Sequence, residues 1–325
     1  MVRALRKWKL PQLVGMALLI LSLAACGAAK EDTAGKSADN AKEETPKERI
    51  LTDAMGHEVK IPANPKRVLA SYLEDPLLAL GIKPVAQWSV NNGASVQGYL
   101  QDQLKDVPTI PYDLPFEAVQ KFSPDLIIID SASMVEGGKY EQYNQIAPTY
   151  VIGKEENNDW REELLRVGEI FGKKEKAEKL LDDYEAKVKE AKEKIADAGN
   201  PSVAAIWLVN GSFFVVSEKL SSGAVMYEDL GLKVPKVVKE ISESGTANWN
   251  PISLEKLAEL DADYIFLVNS DKANGSPILN NKLWKSIPAV KAGKVYEFSP
   301  DESWLYTGII ANEQIIDHIL KSIAQ

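Results

Sequence analysis

Two series of short apolar runs, parted by one long charged stretch of helical periodicity, constrain what this chain can fold into more than any other feature. Residues 67–71 (RVLAS), 84–90 (PVAQWSV), 126–131 (LIIIDS) and 149–152 form the first series. Residues 202–209 (SVAAIWLV), 213–217, 264–269 (YIFLVN) and 294–298 form the second. Each run reads as a buried strand, and helical stretches alternate with them, the pattern of a mostly parallel sheet. The expected fold class is α/β, with two Rossmann-like lobes. A length of 325 residues accommodates two such units at about 150 residues each.

An internal echo supports duplication over one large sheet. Leu80-Gly81-Ile82-Lys83 matches Leu230-Gly231-Leu232-Lys233, each closing an apolar helical run where glycine would supply a left-handed cap. Pro115-Phe116-Glu117-Ala118-Val119 likewise aligns with Ser253-Leu254-Glu255-Lys256-Leu257, and an aspartate, Asp125 or Asp263, follows eight residues after each glutamate. The Glu117 and Glu255 helices therefore hold equivalent places in the two lobes.

Between the lobes, residues 159–199 have a different character. Ala177, Leu180, Leu181, Tyr184, Val188, Ala191 and Ile195 recur at three-and-four spacing, with Lys and Glu covering the other face. The spacing predicts one helix over 173–198, about 39 Å long, stopped by Gly199-Asn200-Pro201. Such a helix is a rigid strut. The expected organisation is a first lobe over 49–158, a linking helix over 159–199 and a second lobe over 200–325.

The N-terminal region is an address. Arg3, Arg6, Lys7 and Lys9 precede an apolar stretch from Leu13 to Ala24, too short to span a bilayer and suited to a signal peptide over 1–25. It ends in Leu23-Ala24-Ala25-Cys26-Gly27, which resembles the lipobox of bacterial lipoproteins, so Cys26 is the expected lipidation site. Residues 26–48 carry no large apolar side chain and read as a disordered tether on a lipid anchor. Cleavage after residue 25 removes four positive charges and no negative ones, taking the net charge from -9 to -13.

That acidity argues against a nucleic-acid partner, which needs clustered Lys and Arg. With one cysteine and two histidines, no cluster of Cys and His ligands can hold zinc or an iron–sulfur centre. His57 falls in a hairpin turn, Met55-Gly56-His57, and reads as structural. Gly-rich phosphate loops, Gly-x-Ser-x-Gly elbows and His-Glu-x-x-His motifs are absent from the sequence, so an enzyme is not expected; a lipid-anchored hydrolase is the remote alternative.

Lipobox, tether, α/β lobe, long helix and second α/β lobe together resemble the helix-hinged substrate-binding proteins of ABC importers for iron siderophores and cobalamin. Arg67-Val68-Leu69, Leu80-Gly81-Ile82-Lys83-Pro84-Val85 and Ser123-Pro124-Asp125-Leu126-Ile127 carry the resemblance in the first lobe. The segment SYLEDPLLALGIKPVAQW and Trp304-Leu305-Tyr306 are most similar to Gram-positive receptors for ferric hydroxamates. The resemblance implies a monomeric receptor on the outer face of the cell membrane. It would bind a ferric siderophore between its lobes without a cofactor of its own and deliver it to ABC permease subunits and their ATPase. It also implies that Glu117 and Glu255 each meet an arginine patch on the permease.

A ligand between α/β lobes sits where strand ends and helix starts face each other. Trp88, Tyr112, Trp207, Trp249, Trp304 and Tyr306 are the candidate cleft aromatics, although an aromatic beside a sheet also reads as core. The polar cleft candidates are Tyr72, Glu74, Asp75, Asn91, Asn92, Asp130 and Asn248. No arginine follows Arg166, which disfavours the multiply negative catecholates and favours neutral or cationic ferric hydroxamates. Arg161 or a lysine is the candidate polar contact to siderophore oxygens. Haem, cobalamin and ferric citrate are the alternative ligands. Iron would be held by the siderophore alone.

Overall fold

The computed structural model describes residues 48–70, 72–155, 158–245 and 247–323. The signal segment, Cys26 and the tether through residue 47 lie outside the described residues.

The body opens with an antiparallel hairpin, β1 (Arg49–Thr52) and β2 (Glu58–Ile61). Its turn is held by Asp53, whose Oδ1 accepts the backbone N–H groups of Met55 at 2.9 Å and His57 at 2.8 Å. His57 bonds Asp53 through Nδ1 and stacks on Tyr140 at 3.7 Å, a structural role as its position predicts. The first lobe continues with β3 (Val68–Ala70), β4 (Gln87–Ser89), β5 (Thr109–Pro111), β6 (Leu126–Ser131) and β7 (Thr149–Gly153). Strands β3, β6 and β7 form one parallel sheet with β6 in the middle, and β4 pairs with β5 in another. Ile127, Ile128 and Ile129 of β6 are all buried, as an interior parallel strand requires.

The second lobe holds β8 (Val203–Val209), β9 (Ser212–Val216), β10 (Trp249–Ile252), β11 (Tyr264–Asn269) and β12 (Val295–Phe298) in the order β10-β9-β8-β11-β12. Strands β8, β11 and β12 run parallel, while β9 and β10 turn back antiparallel. The glycine echo is visible in the backbone: Gly81 and Gly231 take φ of +77° and +69°.

The linking run holds two helices: the one expected over 173–198 runs Lys174–Asp197, and a separate helix, Trp160–Ile170, precedes it. Helix Trp160–Ile170 is capped by the Asp159 carboxylate, which accepts from the N–H groups of Arg161 and Glu162. It ends at Gly172, in the left-handed region at φ +65°, and the chain restarts as Lys174–Asp197. The second helix has 24 residues, about 36 Å, and buries Ala177, Tyr184, Val188, Ala191 and Ile195 as their spacing predicts. The two helices cross so closely at Gly168 that a Cβ there would lie 2.7 Å from that of Ala177.

Helix Ile309–Ile323 closes the chain, and it packs against the first-lobe helix Glu74–Ala79 and both linking helices. Lobe boundaries drawn along the sequence therefore do not contain it: its contacts cross from the second half of the chain to the first.

Candidate functional site

Each lobe opens its first helix through a strained turn. In the first lobe β3 leads to Tyr72, at φ +56°, and then to helix Glu74–Ala79. In the second, β9 leads to Ser221, at φ +51°, and then to a π-helical turn, Ala224–Asp229. Left-handed backbone in residues other than glycine costs energy and collects at functional sites. Here both residues line one cavity of about 290 Å³ between the lobes, at the small end of the range for ligand pockets.

The rest of the wall comes from strand ends and helix starts. Asp130 stands near the end of β6, and Trp160, Arg161 and Glu163 stand in the first turn of the linking helix. Asn248 precedes β10, and Thr307 precedes the last helix. Tyr72, Asp130, Asn248 and Arg161 were expected here from the sequence. Trp160, Glu163, Ser221 and Thr307 were not. The Asp159 cap was the available signal for Trp160 and Glu163, since it places the next turn at a helix entrance. Ser221 lies nine residues before Leu230 and Tyr72 eight before Leu80, so the echo misses their equivalence by one position.

Electrostatics in the cavity are acidic. Asp130, Asp159, Glu163 and Glu228 face Arg161 and Lys219. The arginine is spent on the protein: its Nη2 donates to Asp229 at 2.8 Å and to Glu185 at 3.1 Å, and its guanidinium lies 4.4 Å from the Trp160 ring. Asp229 is further held by the Tyr184 hydroxyl at 2.6 Å. Burial, with Asp130 beside it, pushes the Glu163 carboxyl up to about 8, so it is largely protonated at neutral pH.

Glu74 and Asp75 are buried within the first lobe rather than presented to the cleft. Glu74 accepts the Trp88 N–H at 2.6 Å. Asp75, 2% exposed, accepts from the Tyr99 hydroxyl at 3.0 Å and from the N–H groups of Ile310 at 3.1 Å and Ala311 at 3.0 Å. Burial raises them to about 7 and about 6 respectively. Asn91 and Asn92 are exposed in a short turn.

The six candidate aromatics divide. Trp88 packs edge-on to Tyr72, with ring centroids 5.0 Å apart, directly behind the cavity wall. Tyr306 adjoins Thr307, lies 5.1 Å from the Tyr99 ring and donates its hydroxyl proton to the Val96 carbonyl. Trp207 and Trp249 pack on each other at 6.2 Å outside the cavity, with Trp207 Nε1 bonded to Ser270. Tyr112 is 58% exposed and away from it. Trp304 is corrected to a core residue: it is 0% exposed and wedged between Phe266 at 4.8 Å and Phe298 at 4.9 Å. Its apolar ring area is worth more buried in the second-lobe core than on a wet rim.

Glu117 and Glu255 are both exposed in the first turns of short helices, Phe116–Lys121 and Leu254–Leu257. Among the described residues neither forms an ion pair.

This architecture, two α/β lobes with a ligand-sized cavity between them and a helical link, defines a receptor for a small molecule. The chain belongs to the periplasmic binding protein family, whose model matches residues 71–302. It is 31% identical to the iron(3+)-hydroxamate-binding protein FhuD of Bacillus subtilis, over 95% of each chain. It is also 31% identical to an iron-uptake system-binding protein of the same organism, over 87% of this chain and 89% of the relative. A solved periplasmic binding protein component of a Fep/Fec-like ferrichrome ABC transporter from Bacillus subtilis superposes with a TM-score of 0.69 at 27% identity, covering 85% of this chain and all of that one.

Proposed function

We propose that this protein is an extracytoplasmic receptor that captures a ferric siderophore, of neutral or cationic hydroxamate type, and passes it to an ABC permease. The observation that carries the ligand class is the charge of the cleft: acidic side chains line it, and its one arginine is already neutralised by Asp229 and Glu185. A multiply negative catecholate would meet repulsion there with no free guanidinium to offset it. A hydroxamate complex carries no such charge. The relatives' names, an iron(3+)-hydroxamate-binding protein and an iron-uptake system-binding protein, support the same reading.

In this reading the siderophore's own oxygens hold the iron, and binding makes and breaks no covalent bond. Tyr72 and Trp160 supply the aromatic faces, with Trp88 packed behind Tyr72 and Tyr184 behind Trp160. Glu117 and Glu255 dock the two lobes on the permease; exposed charge pairs set orientation and association rate more than affinity. Cys26 carries the lipid that keeps the receptor at the membrane. Titration of tryptophan fluorescence with ferrioxamine, ferrichrome, a ferric catecholate, ferric citrate, haem and cobalamin tests the ligand. Quenching by the hydroxamates is expected; quenching by the catecholate alone would overturn the proposal.

A further inference from the structure

Ser221 is a polar group of the cleft whose hydroxyl the described residues leave unanswered. It is 6% exposed, it lines the inter-lobe cavity, and among the described residues its Oγ has no hydrogen-bond partner. Buried hydroxyls are nearly always paired, and one that is not points to a partner from outside the fold. Its backbone sits at φ +51°, which a serine adopts only where the surrounding structure enforces it. The enforcement is visible next door. Gly223 lies so close to the Ser217 carbonyl that a Cβ would fall 1.8 Å from the oxygen. The Gly223 N–H donates to the Leu220 carbonyl at 3.1 Å, and the Ala224 N–H donates to the Ser221 carbonyl at 3.2 Å. The turn is thus pressed onto the end of β9, and the hydroxyl is held at the cavity wall before any ligand arrives.

We infer that Ser221 is a specificity-determining contact, donating its hydroxyl proton to an oxygen of the bound ligand. Resting on the reading of this cleft as a siderophore site, the acceptor class is a hydroxamate or amide oxygen of a complex without net negative charge. A neutral donor suits such an acceptor, whereas the Arg161 guanidinium is tied to Asp229 and Glu185. Tyr72 enters the same cavity from the corresponding turn of the first lobe, also left-handed, so each lobe contributes one strained residue to the site.

Ser221→Gly isolates the hydroxyl, because glycine accepts the left-handed backbone without strain, and Ser221→Ala removes the same hydroxyl while keeping the strain. Both variants and the unaltered protein are titrated by tryptophan fluorescence with the six-ligand panel and melted in parallel. The dissociation constant for the best ligand should rise about three- to tenfold in both variants, the worth of one hydrogen bond, with the glycine variant melting no lower than the unaltered protein. A constant within twofold of the unaltered protein in Ser221→Gly overturns the assignment. If ferric citrate or haem proves to be the ligand, the hydroxamate reading fails, and the Ser221 ratio is judged with that ligand instead. Failure of the unaltered protein to bind any member overturns both.

Discussion

Asp125 and Asp263 do the same work in the two lobes. Asp125 stands immediately before β6 and accepts the backbone N–H groups of Lys66 at 2.7 Å and Arg67 at 2.9 Å, just ahead of β3. Asp263 stands immediately before β11 and accepts the N–H and the hydroxyl of Ser202, both at 2.8 Å, just ahead of β8. Each carboxylate pins the starts of two neighbouring parallel strands in register. Asp125→Ala and Asp263→Ala should each lower stability by about 1 kcal/mol, read as a shifted denaturant midpoint. The Ser202 bonds hold the Asp263 carboxyl below the usual carboxylate range. Its contribution is therefore present at neutral pH and fades as pH falls through that lowered value, so the Asp263→Ala deficit should shrink in strong acid.

Two buried carboxyls, Glu74 and Asp75, and the half-buried Glu163 push the pH dependence the other way. Burial raises Glu74 to about 7, Asp75 to about 6 and Glu163 to about 8. Each binds its proton more tightly folded than unfolded, so its contribution is complete below the ordinary carboxylate range and is lost as pH rises through the raised value. Melting temperature should climb as pH is lowered from 8 toward 5. A flat or falling profile over that window would contradict the burial of these groups.

The bond from Asp75 to the last helix should control local opening. Gly308 leaves room for it: a Cβ there would lie 2.3 Å from the Asp75 Cγ. Asp75→Ala and Gly308→Ala should each speed amide exchange at Ile310 and Ala311 by about tenfold or more, the worth of one charge-assisted bond. Exchange at the unaltered rate would show the helix start to be held by other contacts.

Permease docking is tested by Glu117→Ala combined with Glu255→Ala. Uptake of the bound ligand should stop while its affinity in solution stays within twofold. Uptake at the ordinary rate would remove both residues from the interface.

Trp304 separates core from cleft. Trp304→Ala should cost about 3–5 kcal/mol, whereas Trp304→Phe should leave ligand quenching of the remaining tryptophans intact. Loss of ligand affinity in the phenylalanine variant, with stability retained, would return Trp304 to the site.

The strands legible from sequence were those built as uninterrupted apolar runs, such as LIIIDS in β6 and YIFLVN in β11. The missed ones, TIP in β5 and WNPI in β10, contain proline, which marks turns and strand edges equally well. The long linking helix was legible because Ala177, Tyr184, Val188, Ala191 and Ile195 keep three-and-four spacing, whereas the shorter Trp160–Ile170 helix before Gly172 was read only as part of one linking segment. Aromatic type alone does not separate cleft from core, since Trp88 lies within β4 and Trp304 in a short turn after β12, and only packing decides which side a ring takes. Ser221 was invisible in a Ser-Ser-Gly turn that resembles any other loop until φ, burial and the missing partner are known together.

The pairing of Asp75 with Ile310 joins residues 235 positions apart, and that separation governs the order of events in folding. A chain that emerges N-terminus first presents this aspartate long before the amides that receive it exist. The first lobe cannot complete its interior until the final fifteen-residue helix has been made and docked. A product shortened by even this one helix would strip the Asp75 carboxylate of two of its three donors, leaving only the Tyr99 hydroxyl, and would bare an apolar face in the second half. Such fragments should be cleared by proteases rather than persist as half-receptors competing for ligand.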